Sequence, residues 1–416
     1  MKRIVLIVIV FCSAQISFGQ ATIKTMFYNV LNYPSAPPTN REEILETIID
    51  SYEPDIFMIC ELETEDGGDE ILNDSLNDDG NNYSSAPFLS NFSNSDVELH
   101  QLLYYNNQKF TLIQSQRLTT TIRDINWYTL ELISDDQSNN PIRIEVFVAH
   151  LKASRGADNE TKRLNMVREF TDNYANLDEN DYVIFAGDFN LYSSEEPAYQ
   201  ELLDANNKIV MVDPITTPGD WSSNITFTDI HTQSTRISSD EFGDFGSGGG
   251  LDDRFDFILM SENMINSPEL SYKPDTYSAY GNNGNCYNQR IDNADCTGKF
   301  DSALRDALYN MSDHLPVVME LQVNQQLLST TEFVETPKTI QLNSGTIIDD
   351  ILSLQINNHP EPIDFRIYNT LGQEIVSFSA NGNSITNIPV SALSKGMYYL
   401  VPVSMNSNTI KFLKKN

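Results

Sequence analysis

The sequence predicts an α/β fold, sheets covered by helices, followed by a small all-β domain. Short apolar runs rich in β-branched and aromatic residues recur from residue 22 onward. Amphipathic stretches with apolar residues at helical spacing stand between them. Beyond a polar, aperiodic stretch at 323–345, only strand-like runs remain. The early runs are apolar on both sides, as strands covered on two faces are.

In chain order, the expected strands are TIKTMFYNVLNY, PDIFMIC, QLLYYN, FTLIQS, WYTLELIS, IRIEVFVAHL, DYVIFAGDF, RFDFILMS and LPVVMELQV. Helices are expected over 41–52, where Ile44, Leu45, Ile48 and Ile49 share a face, and over 161–174. The acidic stretch 63–85 places Ser75 where an EF-hand-type loop would begin with Asp, so it reads as a solvated short helix and loop. Past the linker, FRIYNTLGQEIVSFS, SITNIPV and GMYYLVPVS read as strands. The expected organisation is an export signal over 1–20, a main domain over 21–325, a linker over 326–345 and a terminal domain over 346–416.

The 416 residues hold 59 Asp plus Glu against 26 Lys plus Arg, a net charge of −33, and are 40% hydrophobic. That content supports a sizeable core and excludes wholesale disorder. The charge argues against a broad basic face that grips nucleic acid, though not against an enzyme that meets phosphate through a metal. At the N-terminus, Lys2 and Arg3 precede the apolar run Ile4 to Phe11, and Ser17 and Gly19 stand at signal-cleavage spacing. The run is far short of the ~20 residues of a spanning helix, and no later segment qualifies. Cys12 follows the bulky Val10 and Phe11, which disfavours a lipid-modified cysteine. The mature chain therefore reads as exported and soluble. An oxidising compartment favours a Cys286–Cys296 bridge over two separate thiols in a loop too polar to order itself by packing. Cys60, inside an apolar run, reads as a buried core thiol.

Six polar stretches end otherwise apolar runs: Asn29 in YNVLN, Glu61 in CELE, His150 in VAHLKAS, Asp188 and Asn190 in AGDFN, Asp256 in DDRFDFIL, and Asp313 with His314 in SDHLP. Such groups would converge at one sheet rim, where unpaired carboxylates and imidazoles are costly unless they bind something. Asn and carboxylate oxygens are hard ligands suited to Mg²⁺ or Mn²⁺ rather than to zinc. His100 and His359 fall in no motif.

This order of motifs, GDFN and SDHLP above all, resembles the endonuclease/exonuclease/phosphatase superfamily over roughly residues 22–322. The resemblance implies a four-layer α/β/β/α sandwich and a divalent metal, Mg²⁺ in the first place with Mn²⁺ or Ca²⁺ as alternatives. Glu61 and Asn29 would hold it, with Asp313 nearby. His314 would be general base, oriented by Asp256. Asp188 would position the water, Asn190 would donate to a phosphoryl oxygen, and His150 would stabilise developing charge or assist the leaving oxygen. Arg123 and Arg236 are candidates to meet substrate phosphate, as is His231, while the ion-pairing alternative stays open. Lys152, two residues past His150, is a weaker candidate.

The stretch IYNTLGQEIV, IPVSALSKGMYYLVPV and TIKFLKK resembles the type A sorting domain of the type IX secretion system of Bacteroidetes, over roughly 340–416. It implies the type IX machinery as a partner and an extracellular or cell-surface destination by way of the periplasm. Together the two resemblances imply a secreted metal-dependent phosphoesterase, in the first place an extracellular nuclease. A sphingomyelinase-like or small-molecule phosphodiesterase is the alternative, and a non-catalytic surface binding protein the reading from another class. Ala186 and Asp253, at places where inositol-phosphate phosphatases carry other residues, disfavour that branch. The acidity opposes tight binding of a polyanion, an objection that screening over about 8 Å softens.

Overall fold

In a computed structural model, residues 21–328 are described apart from 79 and 94–98, and residues 340–415 apart from 343–346, 357–361, 371 and 404–409. The expected export signal over 1–20 and much of the 326–345 linker lie outside the described residues. The chain divides into two compact units, one ending at Ser329 and one beginning at Thr330.

The first unit holds two mixed sheets. Strands β1 (Ala21–Tyr33), β2 (Ile56–Leu62), β3 (Tyr83–Ser85) and β4 (His100–Asn106) belong to the first sheet. Strands β5 (Phe110–Leu118), β6 (Ile125–Leu132), β7 (Arg143–His150), β8 (Tyr182–Asp188), β9 (Met211–Val212) and β10 (Asp256–Ser261) form the second. Strands β11 (Leu270–Tyr272), β12 (Ser278–Ala279) and β13 (Val317–Val323) return to the first, in the order β11-β13-β1-β2-β4-β3 with β12 also on β13. Parallel pairs (β1 with β2, β7 with β8) adjoin antiparallel ones (β1 with β13, β8 with β10).

Side-chain alternation turns these sheets into layers. Val146, Ile184 and Ile258 of the second sheet pack in one core with Phe27, Met58 and Leu103 of the first, so the sheets meet face to face. Their neighbours Phe147, Phe185 and Phe257 point the other way, onto Met166, Val167 and Phe170 of α3 (Ala157–Asp172) and Leu202 of α4 (Pro197–Leu202). On the far side, Leu45, Ile48 and Ile49 of α1 (Arg41–Tyr52) and Leu308 of α5 (Ser302–Met311) cover the first sheet. The result is the four-layer α/β/β/α sandwich. Arg41 is buried between these layers and donates to the carbonyls of Leu31 (2.9 Å), Met311 (2.7 Å) and Val30.

Two local expectations need correction. Helix α3 begins at Ala157, four residues before the expected start at 161, because Gly156 turns the chain with φ +106° and the polar first turn hides the periodicity. The acidic stretch is not wholly solvated: a short helix over Glu65–Glu70, capped by Thr64, runs into a turn over Ile71–Leu76 whose Ile71, Ser75 and Leu76 are buried. Cys286 and Cys296 are joined, Cα atoms 5.3 Å apart, and Cys60 is a buried free thiol.

The second unit contains a three-stranded sheet (Ile340–Leu342, Ile351–Ile356, Ile385–Pro389) and a five-stranded one built on Ile363–Asn369, Glu374–Ala380, Gly396–Pro402 and Ile410–Lys414, with Ile347–Ile348 at its edge. Leu352, Leu354, Phe365, Ile367, Leu400 and Phe412 are among its buried core residues.

Candidate active site

The strand ends bring the motifs together through register. His150 on β7 stands opposite Asp188 on β8, and Asp188 opposite Asp256 on β10, so three polar residues line up across three strands. From the facing sheet, Asn29 of β1 pairs beside Cys60, and the register shifts just beyond it. Glu61 sits at that shift with φ +61°, and Asn190 after β8 has φ +52°. Left-handed backbone in non-glycine residues is strained and concentrates at functional sites. Ser312 secures the last segment: its Oγ donates to the Asn29 carbonyl (2.7 Å) and accepts from the His314 N–H (3.1 Å).

The side chains then form one buried network. Asn29 Nδ2 donates to Glu61 Oε1 (3.0 Å) and Asp188 Oδ2 (3.1 Å). His150 Nε2 lies 3.9 Å from Glu61 Oε1 and 3.5 Å from Asp188 Oδ2. His314 Nδ1 meets Asp256 Oδ2 at 2.8 Å, while its Nε2 is 3.8 Å from Asp188 Oδ2. Asn190 Nδ2 donates to Asp188 Oδ1 at 2.8 Å.

Burial and like charge dominate the electrostatics. Burial, reinforced by Asp313, lifts the Glu61 carboxyl above its ordinary range. Burial, with Asp256 and Glu61 as neighbouring charges, pushes Asp188 from 3.8 up to about 7. His150 is driven well below its ordinary value by burial and then by Arg123, so its ring is neutral. For His314, burial pulls downward, but Asp256, Asp313 and Asp188 outweigh it and hold the imidazole well above its usual value.

A divalent cation fits the same donors. Ligand atoms of Glu61, His150 and Asp188 lie within 4.8 Å of one another, as do those of Asp188, Asp256 and His314. Asp256 Oδ1, Asp313 Oδ1 and His150 Nδ1 are buried without a hydrogen-bond partner among the described residues. Clustered carboxylates with one imidazole suit a hard or borderline cation. Asp313 falls outside both groups. Its Oδ2 accepts from Gln233 Nε2 (3.0 Å) and from the Ser247 N–H (2.6 Å). The Ser247 contact needs Gly246, where a Cβ would stand 2.9 Å from Asp313 Cγ at φ +81°.

The basic residues expected at substrate phosphate direct their donors at backbone carbonyls. Arg123 is buried, and its Nε (2.8 Å) and Nη2 (2.6 Å) donate to the carbonyls of His150 and Leu151, steadying the end of β7. Arg236 is fully buried over the Phe242 ring and donates to the carbonyls of Tyr309 (3.1 Å) and Asn310 (3.3 Å). His231 is buried against the Trp221 carbonyl at 2.8 Å, and Lys152 donates to the Ala153 carbonyl. Sequence reading missed Gln233, whose Nε2 lies 2.6 Å from His314 Nε2. It stands inside HTQSTR, a stretch read only for its basic residues.

Fold and site define a two-sheet sandwich with a buried carboxylate–imidazole centre at its rim. Residues 348–415 match the family model described as the secretion system C-terminal sorting domain. No curated protein matches the chain. Similar solved structures include the human nocturnin catalytic domain with bound sulfate anion, at 19% identity over 72% of this chain and 94% of that one, TM-score 0.46. D. rerio TDP2 complexed with single strand DNA product is 15% identical over 72% and 99%, TM-score 0.47. An endonuclease/exonuclease/phosphatase family protein from Bacteroides thetaiotaomicron is 16% identical over 74% and 97%, TM-score 0.45. Among the described residues no helix is long and apolar enough to cross a membrane.

Proposed function

We propose that the protein is an exported, divalent-metal-dependent phosphoesterase that cleaves phosphodiesters by attack of water, with extracellular nucleic acid as substrate and the type IX machinery as its route out. The observation that carries the reading is the buried network in which His314, held by Asp256, faces Asp188, Glu61 and His150. Glu61 and Asp188 would hold Mg²⁺ or Mn²⁺, with Asn29 and Asp313 alongside. When bound, the cation supplies charge neutralisation and polarisation of a phosphoryl oxygen.

The chain's own groups do the rest. Asp256 accepts the Nδ1–H of His314, which leaves Nε2 to take the proton of the attacking water. Asp188 Oδ2, within 3.8 Å of that nitrogen, orients the water. Asn190 turns its Nδ2–H to a phosphoryl oxygen, and neutral His150 donates toward charge developing on the phosphoryl group or leaving oxygen.

A second reading, a small phosphoester with a neutral or cationic leaving group, is favoured by a cavity of about 400 Å³ at Tyr192, two residues past Asn190. Glu160, Glu195 and Asp220 line it with Arg155 and Tyr192, acids that repel a polyanion. Hydrolysis by the full mature chain separates the two. Plasmid DNA, RNA, sphingomyelin and bis-p-nitrophenyl phosphate are offered with Mg²⁺, Mn²⁺ or EDTA. EDTA-sensitive nicking of plasmid is the expected result; turnover of the small diester or the lipid alone moves the substrate, and inactivity on all four rejects the enzyme.

A further inference from the structure

One residue that the motifs did not name reaches into the centre. The Gln233 backbone is pinned, its N–H donating to the Asp253 carbonyl (3.0 Å) and its carbonyl accepting from the N–H groups of Asp252 (2.9 Å) and Asp253 (2.8 Å). Its half-buried side chain places Nε2 2.6 Å from His314 Nε2 and 3.0 Å from Asp313 Oδ2. With the Nδ1–H of a neutral His314 given to Asp256, Nε2 carries a lone pair, and the two Gln233 N–H groups fall to that lone pair and to Asp313. That lone pair is where the water's proton must arrive. The carboxamide therefore yields as water enters, and its freed N–H faces the group under attack.

The surroundings leave this donor a task. Arg123 and Arg236 direct their guanidiniums at backbone carbonyls. Asn29 is a carboxamide too, but it is fully buried with its Nδ2 given to Glu61 and Asp188. Gln233 is half-buried where Asn29 and Asn190 are buried. We propose that Gln233 is a substrate-contacting residue that passes its Nε2–H from His314 to a phosphoryl oxygen during the attack. The inference rests on the phosphoesterase reading above.

The test uses the full mature chain with Mn²⁺ and bis-p-nitrophenyl phosphate, and calorimetric binding of inorganic phosphate as a readout independent of turnover. Gln233→Met removes the N–H donors at similar volume. It is expected to lower kcat by about 10²-fold, more than it raises KM, as loss of one preorganised donor does. Phosphate affinity should fall about tenfold, the scale of one hydrogen bond to a charged group, and Gln233→Asn should recover part of both losses. A Met variant with wild-type kcat and wild-type phosphate affinity overturns the proposal. Should the Met change cost the fold, Gln233→Glu keeps the shape and is held to the same outcomes. A wild-type chain that hydrolyses nothing, yet loses phosphate affinity on Gln233→Met, keeps the contact and rejects the reaction.

Discussion

Buried carboxylates occur here in two settings, the scaffold and the rim. In the scaffold Asp213 and Glu196 each have an arginine: Asp213 receives both terminal nitrogens of Arg254 at 2.8 and 3.0 Å, and Glu196 receives Arg163 at 2.8 and 2.7 Å. At the rim Glu61 and Asp188 are met by neutral amides of Asn29, Asn32 and Asn190 and by two imidazoles, and no arginine pairs with either among the described residues. Both acids rise in pKa as a result. The scaffold completes its charges within the chain, whereas the rim leaves negative charge to be completed from outside, a pattern associated with function.

Substitutions can break that contrast. The largest effect is expected for His314→Ala, with turnover lowered by roughly 10²–10⁴ as loss of a general base implies and the fold retained; steady-state rates beside a circular dichroism spectrum check it. Next, Asp213→Asn leaves the Arg254 charge buried alone and should cost about 3–5 kcal/mol, read from the urea midpoint. Asp188→Asn in EDTA should cost nothing or stabilise, since it removes a repelling charge. Equal losses for the two would erase the distinction between scaffold and rim.

The smallest effect sharpens it through pH. Asp188 titrates near 7 folded against 3.8 as its ordinary value. Between those values the folded state holds a proton that the unfolded chain has lost, so metal-free stability falls as pH rises from about 4 to about 7. The raised Glu61 and His314 act in the same direction, while the lowered His150 opposes them below its ordinary value of 6.5, so the fall is steepest at the upper end of the window. Thermal midpoints in EDTA should decline across that window, and Mg²⁺ should restore them most at its upper end. A flat profile would mean the rim charges are balanced within the chain.

How much of this was legible in sequence follows from the physics of each signal. Strand ends carrying Asn29, Glu61, His150, Asp188 and Asp256 were readable because runs apolar on both sides announce where a buried strand turns polar. Their convergence depends on registers such as His150 with Asp188, set by pairing between strands far apart in the chain. The arginines misled for the same reason. A guanidinium suits a phosphate or a backbone carbonyl equally, and Arg236 finds its carbonyls 73 and 74 residues away. Gln233 gave no signal, being one carboxamide in a chain full of them whose role comes only from the atoms 2.6 and 3.0 Å from it.

Those displaced arginines have one more consequence. Helix α5 ends at Met311, immediately before Ser312, Asp313 and His314, so its negative dipole end abuts a centre already crowded with acids. Arg236 binds the carbonyls of Tyr309 and Asn310, and Arg41 that of Met311, so two guanidiniums cover the last three residues of the helix. They offset a partial charge that would repel any anion arriving at the centre.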